Sequence, residues 1–200
     1  MKILSTQSIR ATAFMGLLAV TGAVQAHTGH GTTGVAEGLV HPLGADHLLA
    51  MVAVGIWSVC ALPAHKAWWG PAAFMFSLIV SAAMGAAGVT VPFLEQMISL
   101  SVVVFGGMLV LSRVRLPVGF GLALVALAAS LHGLAHGAET PATGFATYAL
   151  GFLATTAALH FGGVAAGLGI HKYLTGKANW VTATLGTLCG ACGLYLFSQI

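Results

Sequence analysis

The sequence predicts an all-α protein, a polytopic transmembrane helical bundle of six helices that follows a cleavable signal peptide. Two observations predict this class. Apolar residues make up 58% of the 200 residues and charged residues only 6%, whereas soluble domains carry roughly 25% charged residues. Several long runs of the chain are also nearly free of charge, and about 20 apolar residues span the ~30 Å hydrocarbon core of a bilayer. So little charge cannot cover a water-facing surface.

Residues 1–26 have the three parts of a secretory signal peptide. Lys2 and Arg10 supply a positive start, residues 11–24 an apolar segment, and Ala26 ends a small-residue cleavage site. An uncleaved first helix is the alternative, but the apolar segment is short and polar residues follow it at once. Cleavage would leave residues 27–34 as a short periplasmic N-terminus. Residues 35–200 would then form the six-helix transmembrane domain of a multi-pass protein in a bacterial inner (cytoplasmic) membrane.

The six helices follow from apolar stretches that are separated by short, proline-containing connections. Because the connections are short, the chain forms one bundle without a soluble domain or a long linker. The predicted spans are 35–61, 68–91, 94–112, 117–138, 143–170 and 178–198.

The loop charges predict the orientation of this bundle. If the mature N-terminus is outside, the cytoplasmic loops follow the first, third and fifth spans. The external loops carry no Lys or Arg, which is the asymmetry expected of short loops. The cytoplasmic loops carry Lys66, Arg113, Arg115, Lys172 and Lys177.

Composition and motifs exclude several function classes. The Lys and Arg residues lie far apart and form no basic patch, so no nucleic acid is expected as a partner. The three cysteines fall within apolar runs and offer no disulfide framework. The chain has no Gly-rich Lys-Ser/Thr phosphate loop, which argues against ATP hydrolysis. The lipid bilayer is the expected environment, and the oligomeric state stays open, a homo-oligomer included.

Small residues predict close helix packing. Pairs of glycines four residues apart lie on one face of a helix and let helix backbones approach each other where lipid gives no hydrophobic drive to associate. Three of the predicted spans carry such a pair, namely Gly133 and Gly137, Gly163 and Gly167, and Gly186 and Gly190.

Ionisable side chains inside spans are costly and are therefore candidate functional residues. In the fourth span, His132 and His136 are four residues apart and Glu139 is three residues further, so all three share one helix face. Two imidazoles and a carboxylate form a ligand set for nickel, cobalt, zinc or copper. The glycines beside the histidines would let another helix come close enough to complete the site. The alternative is that the histidines only form hydrogen bonds between helices.

The first span carries a second polar cluster, His41 followed by Asp46 and His47. Pro42 lacks an amide donor and Gly44 is a weak helix former. The helix should therefore be interrupted at these residues, just before Asp46. Broken helices next to substrate sites recur in secondary transporters. Buried in lipid, Asp46 needs a metal, a proton or a histidine partner. A carboxylate that orients an imidazole is common around metal sites.

His160 is a third candidate, near the middle of the fifth span. With the predicted orientation, residues 41–47 and 132–139 lie at a similar depth in the outer half of the membrane, and His160 lies deeper. The three clusters would then form a path that begins at the external face. A polar packing role for His160 is the alternative.

Other residues give weaker signals. Cys189 and Cys192 are three residues apart in the sixth span, but buried cysteines behave mostly as small apolar residues. His27, the first residue after cleavage, and His30 would offer a metal-capturing terminus, although a flexible polar terminus is the default. We expect Met51 to pack in the core.

The three polar clusters resemble those of the HupE/UreJ membrane proteins, which are associated with hydrogenase and urease gene clusters and regarded as nickel permeases or accessory proteins of metal uptake. The resemblance covers nearly the whole mature chain. Where the family pattern has two residues between Pro and Gly in the first cluster, this chain has only Leu43, which changes the register of His41. The matching segments are Asp46-His47-Leu48-Leu49-Ala50-Met51, His132 to Pro141 with Glu139, and Leu159-His160-Phe161-Gly162.

The resemblance implies a secondary permease or facilitator that is no enzyme, holds no tightly bound cofactor, and takes Ni²⁺ as its transported ion. The ligand types alone would not choose nickel over Co²⁺ or Zn²⁺. Two alternatives are a membrane-embedded metalloenzyme and a metal-binding accessory protein without transport activity. The transient metal ligands in the leading hypothesis are His41, Asp46, His47, His132, His136, Glu139 and His160.

Overall fold

The computed structural model describes residues 34–114, 116–139 and 145–200, and every regular element within them is helical. The predicted all-α class is thereby confirmed for this part of the chain. The signal peptide, the terminus with His27 and His30, Arg115 and Pro141 lie outside the described residues. The α-helices are α1 (Val35–Val40), α2 (Ala45–Ala61), α3 (Trp69–Ala86), α4 (Leu94–Val110), α5 (Val118–Ala138), α6 (Phe145–Tyr173) and α7 (Ala178–Phe197).

The first predicted span is broken where the sequence indicates. A 3₁₀ turn, His41–Leu43, follows α1, and Gly44 has extended backbone angles (φ −51°, ψ 143°) before α2 begins. The axes of the two parts differ by 74°. The proline and the glycine thus divide the segment into a short outer helix and a long inner one.

Within the described residues, four helical segments are long and apolar enough to cross a bilayer, and the bent first segment makes a fifth if it counts as one span. The remaining predicted span, the third, corresponds to α4, an apolar helix of 17 residues, about 25 Å long at 1.5 Å per residue. The chain is therefore a multi-pass membrane protein, and the count of six spans stays a prediction. The second span ends earlier than predicted, at Ala86, because Gly88 (φ 89°) and Pro92 form the turn that follows.

Glycines bring the helices together in pairs. A Cβ at Gly55 of α2 would lie 2.6 Å from the carbonyl oxygen of His160 in α6, and one at Gly106 of α4 would lie 2.6 Å from that of Gly186 in α7. A Cβ at Gly137 of α5 would collide with the Ala82 carbonyl in α3. The close pairs are therefore α2 with α6, α3 with α5 and α4 with α7, and the predicted packing role of these glycine faces is confirmed.

The second helix lies at the centre of the bundle. It contacts α3, α4, α6 and α7, and buried residues such as Met51, Val54 and Trp57 occur on every side of it. The polar cluster at its N-terminal end is consequently enclosed by the other helices.

Candidate metal-binding site

The break before α2 places two polar residues in the first turn of a buried helix. The Asp46 carboxylate accepts hydrogen bonds from the backbone amide of His47 (2.9 Å) and from its Nδ1 (2.8 Å). The Asp46 side chain is 14% exposed and the His47 side chain 5%. Because Asp46 holds Nδ1, the imidazole presents Nε2 toward the bundle interior, which is how carboxylates orient histidines around metals.

Three imidazoles meet at this point. The His47 ring lies between two histidines that are one turn apart on α5, with centroid distances of 4.6 Å to His132 and 4.4 Å to His136. Nε2 of His47 is 2.6 Å from Nε2 of His136. All three side chains are buried. The structure thus brings together the histidines of the first and fourth predicted spans, as the sequence predicts.

The hydrogen bonds determine which ring nitrogens keep a free lone pair. With Asp46 ionised, Nδ1 of His47 is the donor, so its Nε2 is an acceptor and Nε2 of His136 donates to it. Nδ1 of His136 is then unprotonated. It is buried and has no hydrogen-bond partner among the described residues. Such a lone pair is available to a metal ion.

His132 is oriented by a residue that the sequence analysis missed, Ser101 of α4. The Ser101 hydroxyl donates to the Ile98 carbonyl (2.7 Å) and lies 2.9 Å from Nε2 of His132. Since its one hydrogen is used, the hydroxyl oxygen accepts from Nε2. Nδ1 of His132 therefore also carries a lone pair, buried and without a partner in the part of the chain that the structure describes. The sequence feature that could have indicated this role is a polar serine inside a predicted span.

A second group of ligands lies nearer the surface and shares His136 with the buried group. The potential ligand atoms of His41, His136 and Glu139 all lie within 4.8 Å of one another. Nε2 of His41 is 4.0 Å from Oε2 of Glu139, with side-chain exposures of 18% and 42%. Because metal–nitrogen and metal–oxygen bonds are about 2.0–2.2 Å long, small side-chain movements would let these three residues hold one ion. We call this set the outer group, and His47, His132 and His136 the inner group.

Aromatic side chains of α6 form one wall of the outer group. The Phe152 ring lies 4.4 Å from the ring of His136 and 6.1 Å from that of His41, and Tyr148 lies 5.8 Å from His41. This wall is not predictable from the sequence, because aromatic residues are ordinary in an apolar helix. The wall restricts water around the imidazoles on that side.

His160 lies apart from the inner group, halfway along α6. Its Nδ1 donates to the Thr156 carbonyl at 2.8 Å, which leaves Nε2 buried and without a partner among the described residues. Its ring contacts Phe74 of α3 at 4.8 Å between centroids. The backbone of His160 packs against α2 at Gly55, about two helical turns beyond His47. The structure does not place it directly against the other histidines.

The glycines beside the histidines have a different role from the one expected. Gly133 and Gly137 face α3, where a Cβ would collide with Ser81 and with the Ala82 carbonyl. The helix that approaches through them is thus α3, whereas the completing histidine comes from α2. The reason is the 100° step between neighbouring residues of a helix, which turns the glycines away from the histidine face.

The two remaining candidates, Cys189 and Met51, lie in positions that indicate a packing role. The Cys189 thiol contacts the Val102 carbonyl at 3.6 Å between α4 and α7, and Met51 is fully buried in the core. A cavity of about 220 Å³ lies at the opposite ends of α2 and α5 from the histidines. Its lining is mainly apolar, with Trp57, Met108 and Phe120 among the residues, and the described residues that line it include no histidine, carboxylate or cysteine.

Comparison with known proteins gives one family and one curated relative. The family model described as HupE / UreJ protein matches residues 15–196. A curated protein of Rhizobium leguminosarum bv. viciae, Protein HupE, is 37% identical over 174 residues, which cover 86% of this chain and 88% of the relative. No solved structure matches the chain significantly.

Proposed function

The chain belongs to the HupE/UreJ family, and on that premise we propose that it is a secondary permease or facilitator for a divalent transition metal. Nickel is the ion that we propose first, with Co²⁺ and Zn²⁺ as the nearest competitors. The metal would enter from the periplasm and supply the maturation of a metalloenzyme such as a hydrogenase or a urease. The protein would lie in a bacterial inner membrane with its mature N-terminus outside.

The observation that carries this proposal is the contact between His47 and His136 across two helices. It joins a buried group of imidazoles to an outer group that solvent reaches through Glu139. Neutral imidazole nitrogens and carboxylates suit borderline divalent ions such as Ni²⁺. Because His136 belongs to both groups, an ion can exchange outer ligands for inner ones without losing this imidazole.

The same arrangement of ligands favours the passage of a metal ion over its permanent retention. The outer group offers three protein ligands, and the free lone pairs of the inner group lie on separate rings. Structural metal sites are usually closed by four ligands. An ion with few protein ligands keeps some water and can move on, which is the balance that conduction requires.

Transport needs a driving force, and the membrane potential is sufficient in magnitude. Moving two positive charges inward gains about 4.6 kcal/mol per 100 mV, twice the ~2.3 kcal/mol of one charge. The sequence contains no phosphate-binding loop that would couple transport to ATP. We therefore propose potential-driven uptake.

The experiment that tests the proposal is uptake of radioactive Ni²⁺, Co²⁺ and Zn²⁺ into proteoliposomes that contain the full-length protein. His136→Ala removes the ligand that the two groups share and should reduce uptake to the level of protein-free liposomes. The matched control is His171→Ala, which removes an exposed histidine near the C-terminal end of α6. This variant should leave uptake unchanged.

Two results would contradict the proposal. One is a wild-type protein that accumulates no metal above protein-free liposomes. The other is metal that stays bound one-to-one without crossing, which would favour a membrane-embedded metalloenzyme or an accessory protein with a resident ion.

A further inference from the structure

One apolar side chain lies between the inner group and His160. The ring of Phe74, on α3, is 5.9 Å from the ring of His132 and 4.8 Å from the ring of His160, measured between centroids. Phe74 has no exposed surface, and Phe105 of α4 packs against it at 6.3 Å. A benzene ring thus contacts imidazoles that belong to two different helices, α5 and α6.

The two imidazoles that contact Phe74 each have a nitrogen without a partner in the described part of the chain. These atoms are Nδ1 of His132 and Nε2 of His160. A buried polar atom without a hydrogen bond costs about 1–3 kcal/mol, so native proteins rarely keep one without a reason. Here the two imidazoles that carry such atoms both contact one phenyl ring, although each imidazole is already held in place through its other nitrogen, by Ser101 and by Thr156.

We propose that Phe74 is the barrier of the permeation path, and that it separates the inner group from His160 until an ion passes. This inference rests on the proposed function and adds to it the residue that controls passage. An apolar constriction excludes water and thereby blocks ions and protons. The face of the ring attracts a cation weakly, so a partly dehydrated metal ion can pass along it from one imidazole to the next.

A purely structural role for Phe74 makes a different prediction, because Phe105 provides an internal comparison. Phe105 is equally buried, is the same residue type and packs against Phe74 itself. Among the ring contacts of the described residues, however, Phe105 touches no histidine. If Phe74 only fills the core, changes at the two positions should have similar effects.

The test compares Phe74→Leu and Phe74→Trp with Phe105→Leu and Phe105→Trp in proteoliposomes of the full-length protein. Three quantities are measured for each variant: equilibrium binding of Ni²⁺ from the outside, Ni²⁺ uptake, and proton leak without metal under a potassium diffusion potential. Thermal unfolding of each purified variant identifies any that fail to fold.

We expect Phe74→Leu to raise the proton leak several-fold, because the smaller side chain admits water. Phe74→Trp should lower the rate of Ni²⁺ uptake by about tenfold, because the larger ring obstructs the constriction. Equilibrium Ni²⁺ binding to the outer group should stay unchanged in both variants, since the ligands of this group make no ring contact with Phe74 among the described residues. The Phe105 variants should change neither leak nor uptake to this extent.

Equal leak and uptake in the Phe74 and Phe105 variants would overturn the proposal. Loss of Ni²⁺ binding in a folded Phe74→Leu protein would overturn it too, because Phe74 would then support the ligands and not the passage. Failure of the proposed function would be visible separately, as absent uptake in the wild type. The proton leak needs no metal and would still decide whether Phe74 is a barrier.

Discussion

At the scale of single residues, the site depends on which nitrogen of each imidazole carries a hydrogen. Asp46 holds Nδ1 of His47, and Ser101 accepts from Nε2 of His132. In each ring the other nitrogen, Nε2 of His47 and Nδ1 of His132, then carries a lone pair and is a potential metal ligand. A residue that orients an imidazole can therefore decide whether that imidazole is able to bind an ion.

Changing Asp46 to asparagine should impair the site through the orientation of His47. The amide group can donate to Nδ1 of His47, which would move the ring hydrogen to Nε2 and remove the lone pair that faces His136. Loss of such a supporting group typically lowers metal affinity by about 10–100-fold, and we expect Ni²⁺ uptake at limiting concentration to fall by a similar factor. Nitrogen NMR of the labelled histidines should report the changed tautomer. An unchanged tautomer together with unchanged uptake would contradict this reasoning.

Removing the Ser101 hydroxyl should weaken binding and stability together. Ser101→Ala leaves the Nε2–H of His132 without an acceptor, which costs about 1–3 kcal/mol in a buried position, and frees the ring to turn. We expect a lower unfolding temperature and weaker Ni²⁺ binding. The matched control is Ser99→Ala, a buried serine of the same helix, which should preserve Ni²⁺ binding. Equal affinities in the two variants would argue against the assigned role of Ser101.

The sequence predicted the ligand residues better than their grouping. Helical spacing correctly predicted that His132 and His136 face a common partner, and the interruption at Pro42 correctly predicted that His47 points inward. Spacing could not show that Glu139 associates with His41 while His132 associates with Ser101. Those pairings depend on the rotations of α2, α4 and α5 relative to one another, which no local pattern encodes.

At the scale of elements, the break in the first span determines where His41 lies. In a continuous helix from α1 to α2, His41 and His47 would be six residues and hence about 240° apart, on different faces. The 3₁₀ turn and the extended Gly44 instead bring His41 to 4.8 Å from the ring of His136. The outer group consequently exists because the helix is interrupted.

Restoring the helix should therefore damage the outer group selectively. In the double variant Pro42→Ala, Gly44→Ala, the two introduced side chains favour a continuous helix. His41 should then move away from Glu139. We expect the apparent KM for Ni²⁺ to rise by about tenfold, with a smaller effect on the maximal rate because the inner group remains. His41→Ala provides the comparison and should give a similar change in KM. A double variant with wild-type KM would show that the break is not needed.

The elements themselves could largely be predicted from the sequence. Each of the six predicted segments contains helix, and the predicted interruption occurs at the expected residues. The sequence did not predict which helices pair. Glycine spacing identifies a face suited to close approach, but the partner depends on the complementary surface, such as Ser81 and Ala82 of α3 opposite Gly133 and Gly137.

At the scale of the whole molecule, charge is separated between the two ends of the bundle. Lys66 and Arg113 follow α2 and α4, and Lys172 lies in the last turn of α6, whereas Glu95 and Glu139 lie at the other ends of α4 and α5. The acids are thus at the end that carries the outer group. A negative entrance would raise the local concentration of divalent cations.

Uptake should decrease when the external solution becomes acidic. A protonated imidazole has no lone pair, so metal binding requires the neutral form. For an imidazole that solvent reaches, protonation becomes important below pH ~6. We expect initial rates of Ni²⁺ uptake to fall as the external pH is lowered from about 7.5 to about 5.5, with the internal pH and the potential held constant. Rates that do not change over this range would argue against histidine ligation.

The glycine contacts have a mechanical consequence. Close backbone contacts at glycines join α2 to α6 as one unit and α3 to α5 as another. His47 belongs to the first unit and His136 to the second. Any sliding of one unit along the other must therefore change the 2.6 Å contact between these two histidines. The proposed metal-binding site consequently lies at the interface along which the two units would move.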